Sequence, residues 1–279
     1  MMNSKIIFLD IDGTLTLPGQ NEPPESAIRA IEKARRQGHY VFLCTGRSYG
    51  MLLPLLKYDF DGIIASAGSY IEYRKKELVN CPVTEEIKRI AMDVLKKNGI
   101  FRTVECVDGS YTDEEFKRFL RAHAEEGNNS ELLRWREQIE RSLNVFPMRE
   151  YKGQPIYKII IVCSSWEQLK EPQEVLGDDF VFSIPGEDEY GFINGELINK
   201  RFHKGKAVKL VCDYLGIPMS RSVAFGDSIN DKEMLEMAGL SICMGNGQEE
   251  VKRIADELCP SVSEDGIWHA FLKYNLIEK

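Results

Sequence analysis

Nowhere in the 279 residues does an apolar run approach the ~18 residues of a membrane-spanning helix, so the sequence offers no transmembrane segment. The opening Met1-Met2-Asn3-Ser4-Lys5 lacks a secretory-signal pattern and runs straight into an apolar strand. Cysteine is present seven times, an odd number, and never as Cys-x-x-Cys. That argues against a disulfide framework or a zinc site and for free thiols in a reducing compartment, so the expected location is cytoplasmic. Positive charge is in deficit, with 36 basic against 44 acidic residues and a net charge of -8. A broad nucleic-acid surface is therefore excluded. Anionic small molecules are also disfavoured at long range, so a phosphorylated ligand would need a local island of positive charge. Internal repeats and low-complexity tracts are absent as well. What remains is 43% hydrophobic and 29% charged, the composition of a soluble globular protein. Its length allows a well-buried core and two domains.

The most informative segment is Asp10-Ile11-Asp12-Gly13-Thr14, directly behind the apolar run Ile6-Ile7-Phe8-Leu9. Four apolar residues ending abruptly in charge read as a strand buried on both faces, as in a parallel sheet. The two carboxylates then stand at the strand's carboxyl end, where open α/β sheets bind ligands. Two acids followed by a turn-permitting glycine suit a hard cation and a phosphoryl group. Spacing alone is not the signal. Asp59-Phe60-Asp61-Gly62 repeats it, but ahead of the apolar stretch Ile63-Ile64-Ala65 and so at the opposite sheet edge. Asp59 and Asp61 read as ordinary turn residues.

Strands and helices alternate through the first third: Lys5–Leu9, a helix over Ala27–Arg36 stopped by Gly38, a strand at Tyr40–Cys44 and a third at Gly62–Ser66. Such alternation implies right-handed crossovers and a parallel sheet. Beyond Cys81-Pro82 the alternation loosens. A helix at Thr84–Asn98, the segment Arg102–Val107 and polar helical stretches near 113–126 and 130–141 come first. They precede a strand at Tyr157–Cys163, a helix at Trp166–Leu176, and strands near Phe180–Ile184 and Tyr190–Asn199. Strands arriving in pairs indicate an α+β insert. The winding pattern then returns, with a helix at His203–Leu215, a buried strand at Ser222–Gly226, a helix at Asp231–Ala238 and a last strand at Leu240–Met244. The expected organisation is an α/β sheet domain from residues 1–82 and 201–279, interrupted by an inserted cap at 83–200.

Other segments deliver complementary groups to the edge that bears Asp10. Thr45-Gly46-Arg47 follows the second strand, offering a hydroxyl, a bare backbone and a guanidinium suited to phosphate oxygens. Gly226-Asp227-Ser228-Ile229-Asn230-Asp231 follows the fourth buried strand with two carboxylates and an amide. Two carboxylates about 4 Å apart repel by roughly 4 kcal/mol at an effective dielectric of 20. Three in one crevice call for a cation. All-oxygen ligands with no His or Cys in the cluster point to Mg2+ rather than Zn2+. Lys204-Gly205-Lys206 lies where the chain re-enters the sheet domain, at a helix start that the macrodipole makes unfavourable for lysine. A lysine there can offset the Asp10 carboxylate and bind a phosphate oxygen. The adjacent His203 reads as a bystander.

In order and spacing, the four motifs Asp10-Ile11-Asp12-Gly13-Thr14, Thr45-Gly46-Arg47, Lys204-Gly205 and Gly226–Asp231 resemble the haloacid-dehalogenase-like superfamily. With the large insert and Glu264-Asp265-Gly266 near the end, the chain is similar to its Cof-type subfamily IIB phosphatases along its whole length. The resemblance implies a Rossmann-like, doubly wound core with an α+β cap of the C2B type. It also implies that Asp10 is the nucleophile, forming an aspartyl-phosphate, and that Asp12 is general acid and then general base. Asp10, the backbone carbonyl of Asp12 and Asp227 would hold Mg2+, with Asn230 and Asp231 in support. Thr45 would bind the transferring phosphoryl group and Lys204 would orient and neutralise it, with Lys206 as the alternative lysine. Gly13 and Gly46 would contribute backbone, and Arg47 a contact to substrate or phosphate. One departure stands out: the family commonly shows Asn-Gly-Ala after the third core strand, where this chain reads Ala67-Gly68-Ser69.

The expected function is Mg2+-dependent hydrolysis of a small phosphorylated metabolite, most plausibly a sugar phosphate. Flavin mononucleotide, pyridoxal phosphate or another small phosphate ester is the alternative substrate. A phosphomutase or phosphotransferase on the same core is the rival enzyme reading, and a retired enzyme scaffold used for binding or regulation the rival from another class. Asp12 favours hydrolysis, because a protonatable group two residues past the nucleophile can activate water. Cap turn residues Glu187, Asp188 and Tyr190 are candidate specificity positions.

Overall fold

Every residue of Ile6–Leu9 (β1) is fully buried, as a strand in the middle of a sheet covered on both faces must be. In the computed structural model, which describes residues 4–18, 20–115, 144–187 and 191–278, this strand lies at the centre of an eight-stranded sheet. The other members are β2 (Tyr40–Cys44), β3 (Gly62–Ala65), β4 (Tyr70–Tyr73), β5 (Lys76–Asn80), β12 (Ser222–Gly226), β13 (Leu240–Met244) and β14 (Glu257–Cys259). Their spatial order is β14-β13-β12-β1-β2-β3-β4-β5. All pairs from β14 to β3 are parallel, while β4 and β5 extend the edge as an antiparallel hairpin. Register places Leu9 beside Leu43 and Phe225, so Asp10 leaves the sheet level with the ends of its neighbours.

Helices cover both faces, which makes the sheet doubly wound. On one face lie α4 (Lys204–Leu215), α5 (Lys232–Met237) and α6 (Glu249–Ile254), whose Ala207, Val208, Val211, Met234, Leu235 and Val251 pack on Ile6, Phe8 and Phe42. On the other, α1 (Glu25–Arg36) packs against α7 (Gly266–Lys273), with Phe271 5.5 Å from Phe225 between ring centroids. α1 begins behind Pro24, carries Glu25 in its first turn and three basic residues in its last, a charge order that suits the helix dipole.

Two features of this sheet differ from expectation. The β4–β5 hairpin escapes a sequence reading because its turn, Arg74-Lys75, adopts left-handed backbone (φ 47° and 65°) without the usual Asn or Gly. Leu240–Met244 is not the last strand either. The three-residue β14 pairs beyond it, too short to show an alternation pattern.

The chain forms two compact units, the sheet unit Met1–Gly46, Leu53–Asn80 and Phe202–Lys279, and a second from Arg47–Leu52 and Cys81–Arg201. The second holds a six-stranded, largely antiparallel sheet of β6 (Phe101–Glu105), β7 (Ser110–Thr112), β8 (Val145–Pro147), β9 (Lys158–Cys163), β10 (Phe180–Glu187) and β11 (Ile193–Asn199). Val104, Ile159, Ile161 and Leu197 share a core with α2 (Glu85–Lys97) and α3 (Glu167–Leu176) through Ala91, Leu95, Leu169 and Leu176. Thr84 caps α2 by accepting a hydrogen bond from the Ile87 N–H. The polar helical stretches expected near 113–126 and 130–141 lie almost wholly outside the described residues, as do Asp188 and Tyr190. No helix among the described residues is long and apolar enough to cross a membrane.

Candidate active site

Four loops at the carboxyl edge of the sheet unit build the site. The first follows β1. Ile11 O accepts hydrogen bonds from the backbone N–H groups of Thr14, Leu15 and Thr16, which folds Asp10–Thr16 into a tight turn. Gly13 sits in that turn at φ 79°, and a Cβ there would lie 2.3 Å from Asp227 Oδ2. Glycine is therefore demanded twice, by the backbone angle and by the approach of a carboxylate.

The loop after β12 brings Asp227 and Asp231. Asp231 is fully buried, and its Oδ2 accepts from the Asp227 and Ser228 N–H groups at 3.0 and 3.2 Å in a capping box. Its Oδ1 receives Lys204 Nζ at 2.6 Å. Both Asp231 oxygens are thus engaged, which fixes it as a support for its neighbours. Asp227 Oδ1 accepts from Thr14 Oγ1 at 3.1 Å, tying the first loop to the second.

Lys204, the first residue of α4, is 1% exposed and joins these loops. Its Nζ donates to Asp10 Oδ1 and Asp231 Oδ1, both at 2.6 Å, and approaches Asn230 Oδ1 at 3.4 Å. The two buried carboxylates push the lysine above its ordinary range in spite of burial. Lys206 is exposed on the same helix, whereas Lys204 is the lysine that reaches Asp10. His203 is the N-cap of α4, its Nδ1 accepting from the Lys206 N–H at 3.3 Å. Burial and Lys206 lower its pKa, in keeping with a neutral capping imidazole.

Asp10, Asp227 and Asp231 offer carboxylate oxygens that all lie within 4.8 Å of one another. Burial, then Asp231 and Asp227, raise the Asp10 pKa well above the usual carboxylate range, against the opposing pull of Lys204. Asp227 is pushed up to about 7 by burial and then Asp231. Crowding of this kind is what a hard dication relieves. The donor set fits one: Asp10 Oδ2 and Asp227 Oδ2 accept no hydrogen bond from the described residues, and no imidazole or thiolate competes.

Thr45, buried at the end of β2, donates its backbone N–H to Ile64 O and accepts from the Ala67 N–H through its own carbonyl. Gly46 follows, where a Cβ would come within 4.0 Å of Asn230 Nδ2. Asp12 is half-buried, and its charge is among those raising the Asp227 pKa. Arg47 is buried too, but the segment Arg47–Leu52 belongs to the second unit rather than to the sheet. There Gly50 approaches the Gly109 backbone so closely that a Cβ would meet Gly109 N at 2.8 Å. Glu187 accepts a hydrogen bond from Trp166 Nε1 at 2.6 Å within the second unit.

Asp59 and Asp61, read as ordinary turn residues, divide. Asp59 is exposed, but Asp61 is only 3% exposed. Asp61 pairs with Arg35 at 3.0 Å and Arg74 at 3.3 Å and caps the Val41 N–H. It is an ion-pair hub, at the amino edge and away from the site. Two supporting residues went unread in the sequence: Thr14, and Asn246, whose Nδ2 donates to Gly13 O at 2.7 Å. The signal for Asn246 was available, since Gly245-Asn246-Gly247 follows β13 at the same edge.

The family model for haloacid dehalogenase-like hydrolases matches residues 7–271. The chain is similar to the 5-amino-6-(5-phospho-D-ribitylamino)uracil phosphatase YitU of Bacillus subtilis, with 25% identity over 96% of this chain and 97% of that one. Among solved structures, a hypothetical protein from Geobacillus kaustophilus HTA426 superposes with a TM-score of 0.80 at 26% identity, covering 98% of this chain and 99% of that one. The subclass IIB sugar phosphatase BT4131 shares the fold, with a TM-score of 0.74 at 23% identity over 98% and 100% of the two chains. From motif order, site geometry and these likenesses together, the chain belongs to the haloacid dehalogenase-like hydrolases and is an HAD-type phosphatase with the subclass IIB fold.

Proposed function

We propose that this phosphatase hydrolyses a small, hydroxyl-bearing phosphate monoester, a sugar phosphate, with Mg2+ and through an aspartyl-phosphate on Asp10. The observation that carries the reading is the buried lysine between two carboxylates: Lys204 clamps one oxygen of Asp10, and the other has no hydrogen-bond partner among the described residues. A carboxylate held in this way is pre-oriented as a nucleophile, and splitting the hydrolysis into two displacements lowers each barrier. Asp10 and Asp227, with the Asp12 carbonyl, would hold the Mg2+. When bound, the ion supplies positive charge that keeps both carboxylates ionised and draws density from the phosphoryl oxygens.

In the first displacement a carboxylate oxygen of Asp10 attacks phosphorus, and Asp12 protonates the departing alkoxide. In the second, Asp12, now ionised, takes a proton from the water that attacks the aspartyl-phosphate. Asp10 is released and the original protonation states return. Lys204 neutralises charge that builds on the phosphoryl oxygens, while Thr45 and the Gly46 backbone donate to them. Asp231 and Asn230 keep the lysine in place. Residues 83–200 are proposed as the cap that selects the substrate, with Arg47 as a contact to it.

The relative YitU is named for a phosphorylated ribityl compound and BT4131 as a sugar phosphatase, which supports a polyol phosphate here. The test is phosphate release from p-nitrophenyl phosphate and a panel of sugar phosphates, with Mg2+ and with excess chelator, from about pH 5 to 9. Turnover that requires the metal is expected. Equal rates with and without Mg2+ would remove the metal from the reading, and no release at any pH would end it.

A further inference from the structure

A fifth loop at the carboxyl edge, Gly245-Asn246-Gly247-Gln248, joins β13 to α6. β12 separates β13 from β1, so two strand spacings, about 10 Å, lie between this loop and the Asp10–Thr16 turn. The loop nevertheless reaches both intervening parts of the site. Asn246 Nδ2 donates to Gly13 O at 2.7 Å, and the Gln248 N–H donates to Asp227 O at 2.8 Å. Gly247 lies so close beneath that a Cβ on it would stand 3.1 Å from Asp227 O. Gln248 Oε1 also accepts from the Ile229 N–H at 3.2 Å.

Asn246 suits this place because one group carries both a donor and an acceptor. While its Nδ2 serves Gly13, its Oδ1 accepts from the Val262 N–H at 3.1 Å. The reversed amide would set oxygen against oxygen and N–H against N–H. Aspartate, of the same shape, could make the Val262 bond alone. The side chain is exposed, so its burial contributes little to the core. What it fixes is a glycine. Gly13 at φ 79° is free to turn the peptide planes on either side of it. The plane before it is held by the Gly13 N–H, which donates to Thr16 O at 2.9 Å. N–H and C=O point opposite ways in a trans peptide, so that bond aims the Asp12 carbonyl away from Thr16. The plane after it is held by Asn246 and by the Thr14 N–H, which donates to Ile11 O at 3.2 Å. Gly13 also faces Asp227, whose Oδ2 would lie 2.3 Å from a Cβ there. Gly13 thus adjoins the Asp12 carbonyl in sequence and the Asp227 carboxylate in space.

We infer that Asn246 is a positioning residue for the metal site, locking Gly13 so that the Asp12 carbonyl and the Asp227 carboxylate are presented together. The inference rests on the reading above in which these two groups and Asp10 hold Mg2+. Asn246 acts through Gly13 and is not itself a ligand. Groups that orient metal ligands from behind are worth about 10- to 100-fold in affinity. An exposed amide, which water can partly replace, belongs at or below the lower end of that range.

The experiment measures Mg2+ binding to metal-stripped protein by isothermal titration calorimetry, in wild type, Asn246→Ala, Asn246→Asp and Asp61→Asn. Asn246→Ala should raise the Kd for Mg2+ by about 3- to 10-fold, the worth of one neutral hydrogen bond. Its metal-free melting temperature should fall by no more than about 3 °C. The Mg2+ concentration for half-maximal turnover should rise by the same factor as the Kd, and saturating Mg2+ should restore kcat. Asp61→Asn, at the opposite edge, should lose more stability and keep the wild-type Kd, which separates positioning from stability. Asn246→Asp should also bind Mg2+ more weakly, although its added negative charge alone would favour a cation. An unchanged Kd in Asn246→Ala, or tighter binding by Asn246→Asp, would overturn the inference and leave the phosphatase standing. Wild-type protein that binds no Mg2+ would overturn the inference and the metal reading together.

Discussion

Replacing Lys204 with methionine removes one charge from the centre of the site while nearly preserving side-chain volume. In wild type that ammonium lies 2.6 Å from each of two buried carboxylates, Asp10 and Asp231. Breaking a buried ion pair by deleting one partner costs about 3–5 kcal/mol, because the survivor is left desolvated and unpaired. Here the survivors also repel each other, which places the loss toward the upper end. For a domain of this size it corresponds to a fall in melting temperature of about 10 °C or more. The loss should depend on pH, and its sign follows from Asp10. Its folded pKa is already raised, and lysine is one of the influences that lower it. Deleting lysine raises it further. A carboxyl with a raised folded pKa contributes stability at low pH that disappears as pH climbs through the folded value. The deficit of the variant should therefore be smaller at pH 5 than at pH 8. Metal-free protein, urea unfolding followed by far-ultraviolet circular dichroism, and both pH values suffice. A deficit below about 1 kcal/mol at pH 8, or one equal at the two pH values, would refute the assignment of Lys204 as the charge that permits this carboxylate cluster.

Other outcomes follow from the same geometry. Asp10→Asn should abolish phosphoenzyme trapped by acid quench, whereas Asp12→Asn should slow turnover by 100-fold or more yet still form it from p-nitrophenyl phosphate, whose leaving group needs no proton. Mg2+ should raise the melting temperature more at pH 8 than at pH 5.5, because Asp227, with a pKa of about 7, must lose its proton to bind; equal shifts would count against Asp227 as a ligand. Gly13→Ala should lower kcat/KM at least 100-fold and cost about 2 kcal/mol in denaturant, since its Cβ would stand 2.3 Å from Asp227 Oδ2 at φ 79°. Asp61→Asn should destabilise by about 2–4 kcal/mol by disturbing the Arg35 and Arg74 pairs while leaving kcat and KM unchanged, as befits the opposite sheet edge.

The motifs were legible because strand ends announce themselves. An apolar run that stops at a charged or hydroxyl residue fixes both the strand and the edge at which that residue emerges, as with Leu9-Asp10, Cys44-Thr45 and Gly226-Asp227. Elements without such contrast stayed hidden. The Arg74-Lys75 turn uses residues that ordinarily avoid left-handed backbone, and β14 has three residues with one buried. Asp61 was misjudged for a related reason. Whether an acid at a turn is solvated depends on cations from elsewhere in the chain, and Arg35 lies 26 residues before it.

The sequence by itself determined the parallel sheet, the set of acids gathered at its carboxyl edge and the family, because all three depend on local hydrophobic contrast and motif spacing. Only the tertiary structure decided how the oxygens of those acids are paired. It engaged both oxygens of Asp231 with Lys204 and backbone N–H groups, and among the described residues left one oxygen each of Asp10 and Asp227 without a hydrogen bond. It chose Lys204 over Lys206, since two positions on a helix turn a side chain from the buried face to solvent. Hydrogen-bond allocation among residues up to 233 positions apart in this site is a property of packing, and no local pattern in the chain encodes it.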